Sequence, residues 1–209
     1  MASPRRITIP SIIDKTPDGR RIGLLGGSFN PAHEGHVEIS MLAMQRLKLD
    51  AVWWLVTPQN PLKPVDGMAA LGQRLEAARQ IAGDAGILVT DIERTLQTQY
   101  TADTLVALKQ RLPRLHFVWL MGADNLVGMH KWRKWGSIFR TVPVAVFARP
   151  TYSLRAESAR ASRRFARFRI KPYRAASLAK MRAPAWVLFK GPLNPVSASK
   201  IRDAMKLTE

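Results

Sequence analysis

Two histidines follow a pair of glycines in the segment Gly26-Gly27-Ser28-Phe29-Asn30-Pro31-Ala32-His33-Glu34-Gly35-His36. His33 and His36 are three residues apart across the predicted start of a helix, so their side chains can point the same way. Glycines let a backbone approach a bound group closely, and a helix N-terminus presents unpaired N–H groups to anions. This arrangement suits a polyphosphate, and we call residues 26–36 the phosphate loop.

Other chemistries fit the same residues less well. A metal site would need a third ligand at a recognisable spacing from His33 and His36, and His116 and His130 lie in other sequence contexts. The chain has no cysteine, which excludes thiolate chemistry and disulfides. The phosphate loop matches neither Gly-x-x-x-x-Gly-Lys nor Gly-x-Gly-x-x-Gly. We therefore predict phosphate binding without a protein metal site.

Short apolar runs alternate with longer amphipathic segments, which predicts an α/β fold with an open parallel sheet and helices on both faces. The first strand, Ile22–Leu25, should end at Gly26-Gly27, and Val37, Met41 and Met44 mark one face of a helix over 36–49. Further strands are predicted at 51–56, 87–90, 116–121, 142–148 and 186–190, and helices at 71–82, at 101–111 with Thr101 as its cap, and from near Ser197 or Ser199.

The chain has 209 residues and a net charge of +18, and its basic side chains are unevenly distributed. Residues 151–190 contain eleven Lys or Arg and one acid, Glu157. We predict a flexible N-terminal arm at 1–20 and one domain at 21–209, in which 155–182 forms a basic insertion or lid. No run is long and apolar enough to cross a bilayer, so a soluble, cytoplasmic protein is expected.

The chain resembles the adenylyltransferases with a His-x-Gly-His signature, most closely the bacterial nicotinate-nucleotide adenylyltransferases. Gly27–His36 is similar to the loop of that family, and Val196–Arg202 is similar to its C-terminal Ile-Ser-Ser-Thr-x-Ile-Arg signature. Several residues between them keep the order and spacing of the family: Arg74, Glu93, Tyr100, Thr101, Thr104, the run 117–124 and Trp132.

The chain also departs from the family pattern. Asn60-Pro61-Leu62-Lys63 stands where the family has Pro-Pro-His-Lys, so only Lys63 carries over. Ser199 keeps the hydroxyl of the usual threonine, and Ala198 lacks the hydroxyl of the usual serine. We expect the chain to lack the further helix that the family usually has after Arg202.

The resemblance implies a Rossmann-like fold and transfer of AMP from ATP to nicotinate mononucleotide, giving deamido-NAD and pyrophosphate. It implies that His33, His36, Lys63 and Arg202 are catalytic. The ATP-binding residues it implies are Gly26, Gly27, Ser28, Phe29, Gly122, Asp124, Ser197 and Ser199, and the nicotinate-binding residues are Tyr100, Thr101 and Trp132.

Mg²⁺ should accompany ATP, coordinated chiefly by phosphates and water. The expected partners are ATP and nicotinate mononucleotide, with no membrane and no stable nucleic-acid partner. The sequence leaves a homo-oligomer open. Two alternative functions also remain: an adenylyltransferase for another acceptor, such as nicotinamide mononucleotide, and a non-catalytic nucleic-acid-binding protein that uses the basic segment.

Overall fold

Six parallel strands form one sheet in the computed structural model, which describes residues 13, 15–58, 67–148 and 153–190. The sheet order is β3-β2-β1-β4-β5-β6, with neighbours hydrogen-bonded throughout. The strands are β1 (Arg21–Gly27), β2 (Ala51–Val56), β3 (Ile87–Thr90), β4 (His116–Gly122), β5 (Val144–Ala148) and β6 (Trp186–Lys190). This parallel sheet confirms the predicted α/β fold class.

Helices cover both faces of the sheet. The α-helices are α1 (Glu34–Leu47), α2 (Leu71–Ala82), α3 (Ile92–Leu96), α4 (Thr101–Arg111), α5 (Ala123–Gly128), α6 (Trp135–Thr141), α7 (Ser153–Ser158) and α8 (Arg160–Arg164). Short 3₁₀ helices occupy Met129–Lys131, Ala166–Phe168 and Pro172–Lys180. None of the helices in the described part of the chain is long and apolar enough to span a membrane.

The predicted end of the first strand is wrong. Gly26 and Gly27 belong to β1, because they pair in parallel register with Leu55 and Val56 of β2. The Gly27 carbonyl also accepts a hydrogen bond from the Thr57 N–H at 2.9 Å. The sheet therefore continues to the point where the chain turns into the phosphate loop.

Other predicted details of the helices and strands also change. The first helix begins two residues earlier than predicted because His33 is its N-cap, and it ends at Leu47 because Lys48 takes a left-handed conformation, with φ 54°. Tyr100, not Thr101, is the N-cap of α4, so Thr101 lies inside the first turn. β5 begins two residues later than predicted, at Val144. The predicted helix near Ser197 lies outside the described residues.

The basic segment contributes to the core on both faces of the sheet. Ala156, Ala161 and Phe165 are buried in the cluster that contains the ring of Trp186. Leu178 is buried in the cluster on the other face, with its neighbours Ala175 and Ala179. The indole Nε1 of Trp186 donates a hydrogen bond to the Phe165 carbonyl at 2.8 Å. Apolar side chains thus anchor the segment while its cations face outward.

The start of β1 is tied to the start of β2 by a two-pronged ion pair. The Arg21 Nη2 and Nε atoms lie 2.9 and 3.1 Å from the two carboxylate oxygens of Asp50. The side-chain hydrogen bond from Arg21 lowers the pKa of Asp50 to about 2. This pair lies at the amino ends of the strands, opposite to the phosphate loop.

We predict that this pair gives the protein an acid-sensitive part of its stability. The pKa of Asp50 is depressed on folding, so its contribution is complete above the unfolded pKa of about 4 and is lost as the pH falls through about 2. Urea unfolding should show a loss of about 2 kcal/mol over that range in wild type and a smaller loss in Asp50→Asn. The matched control is Asp18→Asn, which removes an exposed pair with Arg114. An identical acid profile in wild type and Asp50→Asn would contradict the prediction.

Candidate active site

The phosphate loop lies at a topological switch point of the sheet. From β1 the chain first builds β2 and β3 on one side and then crosses to β4 on the other side. The phosphate loop begins at the end of β1, and Gly122-Ala123-Asp124 lies at the end of β4. Because β1 and β4 are neighbouring parallel strands, the two segments lie at the same edge of the sheet. In open α/β sheets, ligands bind in the crevice outside the carboxyl ends of the strands, at this kind of point.

The two histidines meet at the N-terminus of α1, as their spacing predicts. Their ring centroids are 3.9 Å apart. His33 is the N-cap, and its backbone N–H donates to the Nδ1 of His36 at 3.2 Å. Because Nδ1 accepts a hydrogen bond there, the neutral His36 ring carries its own proton on Nε2. In this tautomer, Nε2 is the ring nitrogen that can donate a hydrogen bond.

An aromatic cluster holds the His36 ring in place. The Phe29 ring lies 4.7 Å from the His36 ring and stacks on Trp54 at 5.0 Å, and the Trp54 ring lies 5.7 Å from His36. The Trp54 Nε1 donates to the Ser40 hydroxyl, which in turn donates to the His36 carbonyl, both at 2.8 Å. The Phe29 side chain is buried in this cluster, so Phe29 can reach a ligand only through its backbone.

The two glycines of the phosphate loop have different surroundings. A Cβ on Gly26 would collide with the Cη2 of Trp119. A Cβ on Gly27 would meet the Phe29 ring at an ordinary 3.4 Å. The open face of Gly26 is thus filled by an indole ring, and packing, rather than approach to a phosphate, requires glycine there.

Arg74 is a buried cation beside the phosphate loop. Its side chain reaches four backbone carbonyls, among them those of Ser28 in the loop and of Thr57 after β2. Burial lowers the pKa of this guanidinium from its ordinary value. Sequence reasoning placed Arg74 in a helix of the family pattern but gave no signal for its partners.

Glu93 is a second buried charge at this edge of the sheet. One of its carboxylate oxygens accepts a hydrogen bond from the Thr104 hydroxyl at 3.2 Å. Burial raises the pKa of Glu93, and hydrogen bonds from Thr57 and Thr104 act in the opposite direction. The carboxyl group connects the end of β2 to the first turn of α4.

The predicted nicotinate-binding residues fall in one region. Tyr100 and Thr101 begin α4, and both are partly exposed. The guanidinium carbon of Arg133 lies 4.6 Å from the centre of the Tyr100 ring. Arg133 directly follows Trp132, so the segment after α5 reaches the start of α4. Sequence reasoning missed Arg133, although a cation next to a tryptophan was the available signal.

Burial does not distinguish Trp132 from its neighbour Trp135. Trp132 and Trp135 are both partly buried and both pack against the same hydrophobic cluster. The Trp135 ring meets the Phe165 ring edge-on at 6.1 Å and lies under the guanidinium of Arg164 at 5.5 Å. Trp135 is therefore engaged with the basic segment, and Trp132 is next to Arg133 and Tyr100.

Asp124 lies in the first turn of α5 and is exposed. A Cβ on Gly122 would collide with the Oδ1 of Asp124, so the carboxylate folds back over the glycine. Asp124 makes no side-chain hydrogen bond that caps α5. The carboxylate is thus available at the carboxyl end of β4, beside the phosphate loop.

Four predicted site residues lie outside the described residues: Lys63, Ser197, Ser199 and Arg202. Within 15–58, 67–148 and 153–190, no group of three or more His, Asp or Glu side chains could enclose a metal ion. The described part of the site consists of the phosphate loop with its two histidines, Asp124, and the region around Tyr100.

Comparisons with known proteins agree with this geometry. The model of the cytidylyltransferase-like family matches residues 24–204. A probable nicotinate-nucleotide adenylyltransferase of Caulobacter sp. (strain K31) is 51% identical over 182 residues, which cover 87% of this chain and 96% of the relative. Another, from Bradyrhizobium sp. (strain ORS 278), is 50% identical over 183 residues, covering 88% and 95%.

Solved structures give the same fold. The nicotinic acid mononucleotide adenylyltransferase of Plasmodium falciparum complexed with NaAD has a TM-score of 0.65 to this chain. The two chains are 17% identical, and the match covers 88% of this chain and 83% of that one. At this identity the likeness concerns the fold.

Proposed function

The chain belongs to the cytidylyltransferase-like family, among the nicotinate-nucleotide adenylyltransferases, and from this premise we propose that it joins AMP to nicotinate mononucleotide. A phosphate oxygen of the mononucleotide attacks the α-phosphorus of ATP. The bond from that phosphorus to the bridging oxygen breaks, and pyrophosphate leaves. The products are deamido-NAD and pyrophosphate, which makes the enzyme a nucleotidyltransferase of NAD biosynthesis.

The observation that carries the proposal is the histidine pair at the start of α1. The attacking phosphate is already ionised at neutral pH, so the protein needs no strong base and acts by positioning and by stabilising charge. The contact from the His33 N–H to Nδ1 leaves the Nε2–H of His36 as a donor. We propose that it donates to the bridging oxygen as negative charge develops there.

The remaining roles are assigned by position in the fold. For ATP we propose the backbone of Gly26, Gly27, Ser28 and Phe29, with Gly122 and Asp124 at the adenosine. Tyr100, Thr101 and Trp132 would contact the nicotinate ring. The Arg133 guanidinium, which lies over Tyr100 and pairs with Asp103 at 3.6 Å, would lie close to the nicotinate carboxylate. Lys63, Ser197, Ser199 and Arg202 stay proposals from the sequence alone, as phosphate-binding residues alongside His33 and His36.

We propose that Mg²⁺ enters with ATP as part of the substrate and neutralises phosphate charge. Phosphates and water would supply most of its ligands, as is usual for Mg²⁺ bound with a nucleotide. A chain without cysteine is compatible with a reducing compartment, and we propose that the enzyme acts in the cytoplasm.

We propose that residues 21–209 act as one domain, with 155–182 as a basic insertion rather than a nucleic-acid-binding module. The burial of Phe165 and Leu178 in the hydrophobic clusters on the two faces of the sheet supports this proposal. Several of its cations also lie on aromatic rings of the protein itself, such as Arg167 over Phe168 at 4.6 Å. Rings used in this way are not free to stack on bases.

The test is release of pyrophosphate from ATP. We expect wild-type protein to release it with nicotinate mononucleotide and Mg²⁺, and not when either the acceptor or Mg²⁺ is omitted. Parallel reactions with nicotinamide mononucleotide measure the preference for acid over amide, which depends on a few polar contacts to that group. No release with either acceptor would refute the proposal, and faster release with the amide would change the assigned acceptor.

A further inference from the structure

Arg74 lies beside the phosphate loop and bonds to its backbone. We propose that Arg74 is a positioning residue, which sets the backbone of the phosphate loop for ATP. The inference rests on the proposed function for the identity of the ligand. The geometry on which it stands is independent of that function.

The Arg74 side chain joins three separate stretches of backbone. Its Nη1 donates to the carbonyls of Ser28 at 2.6 Å and of Thr57 at 2.9 Å. Its Nη2 donates to the Pro58 carbonyl and its Nε to the Ala69 carbonyl, both at 2.9 Å. The planar guanidinium is the side chain that can hold several acceptors in one fixed geometry. It therefore connects the phosphate loop to the backbone after β2 and to the start of α2.

Among the residues that the structure describes, no acid cancels the charge of Arg74. The residue is only 3% exposed, and within the described residues no carboxylate pairs with it. Buried charges are usually paired, because removing them from water costs several kcal/mol. In the described part of the chain, four carbonyl oxygens compensate this cost. The guanidinium thus contributes positive potential next to a loop that has to accept polyphosphate.

The bond to Ser28 also determines which way the next amide points. The C=O and N–H of a trans peptide point in opposite directions. Since the Ser28 carbonyl points at Arg74, the Phe29 N–H points away from it. Phe29 has a φ of 47°, a left-handed conformation that costs a non-glycine residue about 1–2 kcal/mol. Arg74 helps to hold the loop in this conformation and so fixes one of its N–H donors.

A second side chain supports the same arrangement. The Asn30 Nδ2 donates to the Gly67 carbonyl at 2.9 Å, and its Oδ1 accepts the Ala69 N–H at 3.2 Å. Ala69 thus bonds Asn30 through its N–H and Arg74 through its carbonyl. The phosphate loop is held from both sides of the strained residue Phe29.

Arg74→Lys tests the inference, because it keeps the charge and removes the fixed fork. We expect the turnover number to fall about 10²-fold, the cost of misplacing reacting groups by about an ångström. ATP binding, measured by calorimetry without acceptor, should weaken about tenfold, because a loop that must be re-ordered reduces affinity. The KM for nicotinate mononucleotide should change little, since Arg74 is bonded to the phosphate loop and not to α4.

The matched control is Arg21→Lys, which disrupts the pair with Asp50 at the other end of β1. It should lower the unfolding temperature and leave turnover and ATP affinity unchanged. Both variants are assayed well below their unfolding temperatures. Arg74→Lys with wild-type turnover and ATP affinity would overturn the inference, and so would an equal loss in Arg21→Lys.

Arg74→Lys is also made in a background that carries Gly72→Ala. Gly72 is an exposed position in α2, and a Cβ added there would meet no neighbouring atom. Failure to fold in both backgrounds would overturn the inference, because Arg74 would then be needed for the fold as a whole. The two proposals fail separately. Wild-type protein that binds ATP without releasing pyrophosphate refutes the proposed reaction, while the ATP affinity of Arg74→Lys still tests Arg74.

Discussion

Replacing His36 by alanine is expected to lower the turnover number about 10³-fold, as removal of a donor to a developing negative charge does in other enzymes. The reason is the assigned proton on Nε2, which the contact from the His33 N–H to Nδ1 requires in the neutral ring. The measurement is pyrophosphate release at saturating ATP and nicotinate mononucleotide. His130→Ala is the control, since His130 is exposed and its ring makes a hydrogen bond to the Val127 carbonyl at 3.0 Å.

Two further variants separate catalysis from capping of the helix. His36→Asn places a polar atom near the position of Nδ1 and can accept the His33 N–H, but it lacks a donor at the position of Nε2. His36→Gln does the reverse. We expect Asn to keep the unfolding temperature with low turnover, and Gln to keep more turnover than Asn. Equal turnover in both variants would contradict a donor role for Nε2.

Gly26→Ala should disable the site by packing alone. The added Cβ would collide with the Trp119 ring, which is 3% exposed and has little room to retreat. Overpacking of this kind costs about 1–3 kcal/mol, so the free energy of unfolding should fall by that amount. Because Gly26 pairs with Leu55 and is the first residue of the phosphate loop, turnover should also fall, by about 10²-fold.

Two other substitutions test this prediction: Gly72→Ala is the control, and Trp119→Phe is the compensating change. Gly72→Ala, on the exposed side of α2, should raise stability by about 0.5–1 kcal/mol and leave turnover unchanged. Trp119→Phe shortens the ring that the new Cβ would meet. The double variant with Gly26→Ala should recover part of the turnover, and a double-mutant cycle measures the coupling. Purely additive effects would show that the Trp119 contact is not the cause.

The sequence was sufficient to predict the sheet and the location of the phosphate loop. Strands β2, β3 and β6 are apolar runs ended by polar or turn residues, and they coincide with the predicted bounds. The helical spacing of His33 and His36 predicted their contact correctly, because residues three apart share a face. The local spacing of residue types is thus enough to predict strand bounds and contacts within one helical turn.

Long-range contacts account for most of what the sequence did not reveal. Gly26 and Gly27 have low intrinsic preference for strands, and their pairing with β2 is set by Leu55 and Val56. Arg74 bonds to Ser28 across 46 positions, and no local pattern marks a guanidinium that binds carbonyls. Helices α5 and α6 were missed because they are only 6 and 7 residues long, too short for a periodic signal.

The position of the phosphate loop after β1 has a thermodynamic consequence. β1 has a paired strand on each side, and Arg74 and Asn30 bind the backbone that follows it. The conformational entropy of the loop is therefore lost when the chain folds and not when the nucleotide arrives. Binding then has to order little more than the ligand, and more of the interaction energy remains as affinity.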